Sequence, residues 1–205
     1  MTDDLVLAEM LAARLCHDLA GPVGATAAGA ELLDDLGSDG LDSDTLALVA
    51  ASAAGAAARL KFFRAAFGPA GQSQRVPALR DLAEAYLAAT TSAAAPTLAL
   101  DWRIAAAELP ADLARLLLNL LLVARDALPR GGAIEVALTD SGGHVVARGT
   151  PALLADEARL VLVEGLPPAG PRGAQATLAA RLAARLSSSI VLGAADGEVA
   201  MTFGL

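Results

Sequence analysis

The sequence is poor in several residue types on which other classes of protein depend. Its single cysteine, Cys16, excludes an internal disulfide and gives no metal-ligand spacing. Fifteen basic residues stand against 23 acidic ones. This balance argues against a nucleic-acid or anionic-membrane binder, since either needs clustered positive charge. Aromatic residues make up only 3% of the 205 residues, so alanine and leucine must fill most of the core.

Long hydrophobic runs and a basic N-terminal segment are also lacking. The chain opens with Asp3 and Asp4, and its most apolar run, residues 116–124, is interrupted by Asn119 and followed by Arg125. A membrane span needs about 20 predominantly apolar residues. The sequence therefore predicts a soluble cytoplasmic protein with no membrane segment.

Two long helices are predicted for the first third of the chain. The first covers about 3–36 and ends in a Gly, Ser and Asp cluster at 37–42; Ser43 can cap the second, which stops before Gly68. Apolar residues of the second helix recur at spacings of three and four, a heptad seam formed by Leu46, Val49, Ala53, Ala56, Leu60, Phe63 and Phe67. Because one hairpin leaves its seam half covered, we predict a homodimer with a four-helix bundle.

The rest of the chain interleaves strands and helices. Residues 68–77 are rich in Gly, Pro and Gln and predict a linker with one short strand. Helices are predicted at 78–89, 111–128 and 174–186, and strands at 98–104, 133–138, 144–147, 159–163, 189–192 and 198–203. This order predicts a mixed sheet with helices on one face. We expect an α+β chain made of a helical hairpin (1–68), a linker (69–77) and an α/β domain (78–205).

His17 is the candidate reactive residue. Apolar residues spaced by four form one stripe of the first helix, Leu11, Leu15, Leu19 and Val23, and His17 projects from the other side. A neutral imidazole is a good nucleophile near pH 7, and the neighbouring Asp18 can hold its second nitrogen and fix the tautomer. An ordinary solvated histidine and a surface carboxylate are the alternatives.

The residues around His17 suggest access for another macromolecule. Pro22 displaces the backbone hydrogen bond to the Asp18 carbonyl and is expected to bend and loosen this turn. Gly21 and Gly24 are costly within a helix, so close approach of a partner is plausible, although packing inside a bundle would explain them equally. Ala13 is another small residue on this side of the helix, so the surface beside His17 is expected to be low enough for close approach.

The motif around His17 resembles that of a known family. The string Leu15-Cys16-His17-Asp18-Leu19-Ala20-Gly21-Pro22 resembles the H-box of histidine kinases. With Cys16 before the histidine and Pro-Val-Gly-Ala at 22–25, it is similar to the alphaproteobacterial histidine phosphotransferases of the ChpT type. Residues 116–132 are similar to the N-box helix and turn of the kinase ATP-binding domain.

The second domain departs from the kinase pattern at its nucleotide motifs. Val123 stands where the kinase asparagine that holds Mg²⁺ is expected, and Asn119 is the other asparagine of the pattern. Residues 147–152 replace the Asp-x-Gly-x-Gly box, and 173–181 keep only a trace of the last glycine-rich box. An intact H-box beside a defunct ATP site is typical of the ChpT-type family, and it implies a degenerate ATPase-like α/β sandwich.

The resemblance implies a phosphorelay without ATP. The receiver aspartate of a hybrid histidine kinase would pass its phosphoryl group to His17, which would hand it to the receiver domain of a response regulator. No cofactor is expected in the chain itself, because the partner receiver supplies Mg²⁺. The implied catalytic residues are His17 and Asp18. The implied receiver-docking residues are Ala13, Arg14, Gly21, Pro22 and Gly24.

Other interpretations stay open. Arg14 lies close enough to steady a phosphoryl group, but an ordinary surface arginine is the alternative. His144, on a predicted strand, and Cys16 are interpreted as structural residues. An active ATP-dependent histidine kinase is disfavoured by Val123 and the missing glycine boxes. A non-enzymatic dimeric adaptor, which would only hold partners, is the other alternative.

Overall fold

The N-terminal part of the chain is a helical hairpin. A computed structural model describes residues 4–36, 43–69, 71–90 and 97–205. Helix α1 spans Asp4–Leu36 and α2 spans Ser43–Phe67. The two run antiparallel, because α2 meets α1 near Gly29 through Val49 and near Asp18 through Arg59. The hairpin prediction is therefore confirmed, while the turn predicted at 37–42 lies outside the described residues.

Helix α2 corrects one expectation about hydrophobicity. By length and composition it could cross a membrane, and only 11% of its most apolar window is buried within the chain. The expectation that no segment is apolar enough is therefore wrong. One such helix is weak evidence for a span, since core helices of soluble proteins reach the same apolarity. It does mean that α2 presents apolar surface which this chain alone leaves uncovered.

The remaining elements form a sheet with helices on one face. The helices are α3 (Val76–Thr90), α4 (Ala111–Asp126), α5 (Asp156–Glu164) and α6 (Pro171–Arg185). The strands are β1 (Gln74–Arg75), β2 (Leu98–Arg103), β3 (Glu108–Leu109), β4 (Gly132–Thr139), β5 (Gly142–Arg148), β6 (Val191–Ala195) and β7 (Glu198–Gly204). Five strands pair in the order β2-β4-β5-β7-β6, with β2 parallel to β4 and the other pairs antiparallel, while β1 and β3 form a separate ribbon. This is the predicted mixed sheet.

Helix α4 lies at the centre of the core. From Leu116 to Ala124 every side chain is buried, including that of Asn119, so this part of the helix is covered on all sides and packs against β4 and β5 as well as α2 and α6. In β2 the side chains alternate between half-buried and exposed, as expected for a sheet with one covered face. The long leucine run is therefore a central core helix.

The end of α2 belongs to the same core. Phe62 and Phe63 are buried, and the Phe62 ring stacks on Tyr86 of α3 with the ring centroids 4.1 Å apart. Burial raises the pKa of Tyr86 to about 12. Because these aromatic rings join α2 to α3, the hairpin is packed directly against the α/β region.

Helix α5 was not predicted. Residues 159–163 were expected to form a strand, but they lie in a helix, so this prediction is wrong. The short run Leu-Val-Leu-Val fits either structure by composition; Ala158 and Val161, three residues apart, decide it by packing against Ala176 of α6. Acidic residues in the first turn interact favourably with the helix dipole, and Gly165 in the left-handed conformation, with φ 65°, caps the C-terminal end.

Candidate functional site

The imidazole of His17 is exposed on α1. Its side chain is 88% exposed, and Nδ1 lies 3.1 Å from Oδ1 of Asp18. In the neutral ring this contact favours the tautomer in which Nδ1 carries the proton and donates it to the carboxylate. The lone pair of Nε2 is then free to face a partner. Leu15 and Leu19 pack against the core on the other side of the helix, as predicted.

Arg59 replaces the hydrogen bond that Pro22 removes. Helix α1 continues through Pro22, and the Asp18 carbonyl accepts a 2.6 Å hydrogen bond from Nη1 of Arg59 on α2. The second terminal nitrogen of Arg59 donates to the carbonyl of Ala89, one residue before the end of α3, at 2.8 Å. The turn that carries His17 is therefore anchored to two other helices, which corrects the expectation of a loosened turn.

Arg14 connects the His17 turn to α4. Its side chain is 6% exposed, so the interpretation as a surface arginine is wrong. Nη2 of Arg14 lies 2.7 Å from Oδ2 of Asp126, and Nε lies 3.7 Å from Oδ2 of Asp18. Asp126 also pairs with Arg125, at 3.2 Å. Two arginines and two aspartates thus form a compact cluster beside the imidazole.

A cleft of about 530 Å³ opens next to His17. One wall is α1 and the other comes from α4, α5 and the start of α6. The lining residues are Ala13, Arg14, His17, Asp18, Arg125, Asp126, Glu157, Pro171 and Arg172. The structure therefore brings four of the predicted site residues together at the cleft, whereas Gly21, Pro22 and Gly24 lie farther along α1.

The two glycines after His17 face open space. A Cβ placed on Gly21 or Gly24 would meet nothing within 4 Å, whereas one on Gly29 would overlap the Val49 side chain. Packing against α2 therefore explains Gly29 but neither Gly21 nor Gly24 within this chain. The low surface beside His17 remains available to another molecule.

Asn119, the asparagine that matches the kinase pattern, forms hydrogen bonds within the core. Asn119 is fully buried and donates to the carbonyls of Ala66, at 2.9 Å, and Arg115, at 2.7 Å. Its Oδ1 accepts a hydrogen bond from Gln175 on α6. Asn119 thus ties α4 to α2 and α6, and its oxygen is engaged there. Val123, one turn later, is buried and offers no oxygen ligand.

The space directly beside Val123 is small. A cavity lined by Val123, Leu154, Ala155 and Arg172, among others, holds about 10 Å³. Glu157 places a carboxylate oxygen 3.2 Å from the backbone N–H of Gly173, at the start of α6. A negative group of the protein thus takes the helix N-terminus that would otherwise favour a phosphate. Among residues 4–36, 43–69, 71–90 and 97–205, no cluster of three metal-ligating side chains occurs.

The two residues interpreted as structural differ in outcome. His144 lies on the sheet, with Nε2 2.7 Å from Oε1 of Glu135, which agrees with a structural role. Cys16 is exposed rather than packed, so that interpretation is wrong.

The sequence did not predict which residues of other elements contact the neighbours of His17 on α1. Arg59 lies 41 positions from its α1 partner Asp18, and Asp126 lies 112 positions from its α1 partner Arg14. These pairs meet only in the folded chain. The one usable signal was the carbonyl freed by Pro22, which required a donor from elsewhere.

Comparison with known proteins gives three consistent matches. The family model of the histidine phosphotransferase C-terminal domain matches residues 81–198. The protein phosphotransferase ChpT of Brucella abortus (strain 2308) is 40% identical over 137 residues, which is 67% of this chain and 63% of that protein. The chain thus matches somewhat less than two thirds of the length of this curated relative. A solved structure of a bacterial phosphotransferase superposes with a TM-score of 0.83 at 29% identity, covering 99% of this chain and 98% of the other.

Proposed function

Because the chain belongs to the histidine phosphotransferase family of the ChpT type, we propose that it relays phosphoryl groups through His17 without using ATP. The observation that carries the proposal is the exposed imidazole, whose Nδ1 is held by Asp18 beside an open cleft. Val123, which is buried and offers no oxygen ligand, supports the absence of nucleotide chemistry.

The reaction is a pair of in-line displacements. The Nε2 lone pair of His17 attacks the phosphorus of a receiver phosphoaspartate, the bond from phosphorus to the carboxyl oxygen breaks, and its electron pair stays on the receiver carboxylate. The ring becomes cationic while Nδ1 keeps its proton, and the Asp18 carboxylate at 3.1 Å stabilises that charge. In the second transfer another receiver aspartate attacks, and the electron pair of the N–P bond returns to Nε2.

We assign the partners by this chemistry. The donor is the receiver domain of a hybrid histidine kinase, and the acceptor is the receiver domain of a response regulator. The acidic pocket of each receiver brings its own Mg²⁺. The catalytic residues that we propose in this chain are His17 and Asp18. The receiver domains dock on Ala13 and Arg14 at the cleft. They also contact the open surface of α1 farther along the helix, formed by Gly21, Pro22 and Gly24.

The functional unit is proposed to be a soluble cytoplasmic homodimer. The hairpin, residues 1–68, is its dimerisation and transfer part, and residues 78–205 after the linker 69–77 are its degenerate ATPase-like part. Leu46 and Leu60 of the predicted seam are 45% and 46% exposed in one chain. A four-helix bundle with a second copy would bury these exposed leucines.

A transfer assay tests the proposal. A receiver domain carrying a labelled phosphoryl group is mixed with the wild-type chain and with His17→Ala. We expect label on the wild type alone, with both proteins binding the receiver. Equal label on both proteins would overturn the assignment of His17. Binding without any transfer would point to the adaptor alternative.

A second arm addresses the kinase alternative. The chain is incubated with labelled ATP and Mg²⁺ in the absence of any receiver. We expect no label and no heat of nucleotide binding in calorimetry. Self-labelling that is lost in His17→Ala would make the protein an active kinase.

A further inference from the structure

Two carboxylates face one buried guanidinium beside His17. Arg14 is held by Asp126 through a 2.7 Å contact, while its Nε stays 3.7 Å from Asp18. That second distance is too long for a hydrogen bond, and the buried Nε–H has no hydrogen-bond partner among the described residues. Oδ1 of Asp18 therefore remains hydrogen-bonded to Nδ1 of His17.

The sequence spacing would favour a different pairing. Arg14 and Asp18 are four residues apart on one helix, a spacing at which arginine and aspartate side chains readily form an ion pair. A buried arginine without a carboxylate partner destabilises the folded protein. Pairing of Arg14 with the nearest carboxylate is therefore favoured. In this structure the close pair is formed instead by Asp126, which approaches Arg14 from the end of α4.

We infer that Asp126 is a positioning residue, which retains Arg14 and thereby leaves the Asp18 carboxylate free to fix the tautomer of His17. This inference rests on the proposed function and deepens it, because it makes α4 of the ATPase-like part a component of the transfer site. Without Asp126, the guanidinium swings onto Asp18 and draws its carboxylate away from Nδ1. The neutral ring then samples both tautomers, and Nε2 carries the proton in part of the molecules, where it cannot attack.

Nuclear magnetic resonance of the imidazole nitrogens measures this directly. In the isolated full-length chain with ¹⁵N-labelled histidine, neutral His17 of the wild type is expected to show Nδ1 protonated. Asp126→Ala is expected to give a mixture of tautomers and to slow single-turnover transfer from a saturating phosphorylated receiver by about 10-fold, the order seen when an outer contact of a functional histidine is lost.

The matched control is Asp112 on the same helix. Asp112 also forms ion pairs with two arginines, Arg115 at 3.3 Å and Arg185 at 2.8 Å, but it does not line the His17 cleft. Asp112→Ala therefore loses a comparable pair of contacts, and we expect a wild-type tautomer and transfer rate. Equal slowing in Asp112→Ala and Asp126→Ala would reduce Asp126 to a general stabilising residue and overturn the inference.

A double variant distinguishes a positioning role of Asp126 from a general effect on folding. Arg14→Met combined with Asp126→Ala removes both the guanidinium that competes for Asp18 and the carboxylate that holds it. The Nδ1-protonated tautomer of His17 is therefore expected to return. A mixture that persists in the double variant contradicts the competition. Because His17→Ala tests the relay itself, normal transfer in Asp126→Ala with none in His17→Ala would reject the role of Asp126 and leave the proposed function intact.

Discussion

At the scale of single residues, the site depends on which side chains form a hydrogen bond with Asp18. Asp18 makes a side-chain hydrogen bond to His17 and offers its carbonyl to Arg59. Arg14, although buried, stays outside hydrogen-bond distance of the same aspartate. The result is an imidazole that is held at one nitrogen and open at the other.

Gly24 provides a test of the open surface. Gly24→Ala is expected to raise the free energy of unfolding by about 0.5–1 kcal/mol, because alanine favours the helix and its Cβ meets nothing within the chain. The same methyl group is expected to weaken receiver binding by obstructing close approach. Urea unfolding and calorimetric titration with the receiver measure the two effects.

The control for Gly24 is Gly29, where the added Cβ would overlap Val49. Gly29→Ala is expected to destabilise by about 1–3 kcal/mol through overpacking. Unchanged receiver affinity in Gly24→Ala would contradict the docking role of this surface.

Arg59 provides a test of the anchored turn. Arg59→Met removes the donors to the carbonyls of Asp18 and Ala89, and we expect a loss of about 3 kcal/mol in unfolding free energy because charged donors are removed from a half-buried site. Hydrogen exchange around Pro22 is expected to increase as well. Exchange in that turn identical to the wild type would show that Arg59 does not anchor it.

At the scale of elements, sequence patterns predicted long periodic helices better than short apolar runs. α1, α2 and α4 lie within a few residues of their predicted ranges, because their signals extend over many turns. α5 was predicted as a strand because four apolar residues carry no clear period, and its packing on α6 is not visible in the sequence. His17 was predictable from one helix face. Arg59 and Asp126 contact its neighbours on α1 only in the folded chain.

The outer face of the sheet yields a prediction about pH. The hydrogen bond from His144, together with Arg148 and Arg103, outweighs burial and holds the pKa of Glu135 below its ordinary value of 4.5. A lowered pKa in the folded state gives stability that is complete above pH 4.5 and is lost as the pH falls through the folded-state pKa. Glu135→Gln is therefore expected to be less stable than the wild type at neutral pH, with the difference shrinking in acid.

Urea unfolding at a series of pH values measures that difference. A gap between Glu135→Gln and the wild type that stays constant from neutral pH into acid would contradict the role of the Glu135 carboxylate.

At the scale of the whole molecule, the two parts of the chain form one core. Phe62 and Phe63 of the hairpin pack with α3 and α4, and Asn119 donates to the carbonyl of Ala66. The kinase-like asparagine thus holds the hairpin against the α/β part. Such a junction keeps the wall of the cleft at a fixed place beside His17.

The exposed leucines of the α2 seam, Leu46 and Leu60, predict the oligomeric state. Light scattering is expected to give twice the 20.5 kDa chain mass for the wild type, and Leu46→Glu with Leu60→Glu is expected to give monomers, because two charges would enter the apolar bundle. Val163→Glu, at an exposed apolar residue of α5, is the control and is expected to remain dimeric. A monomeric wild type would contradict the four-helix bundle.

The central claim is that Nε2 of His17 accepts a phosphoryl group from another protein. The most direct measurement is ³¹P and ¹⁵N magnetic resonance of the full-length chain after mixing with a phosphorylated receiver domain and no nucleotide. We predict one phosphoryl group, bonded to Nε2 of His17, with the proton on Nδ1. A phosphoryl group on Nδ1 or on any other residue, or none at all, would contradict the account.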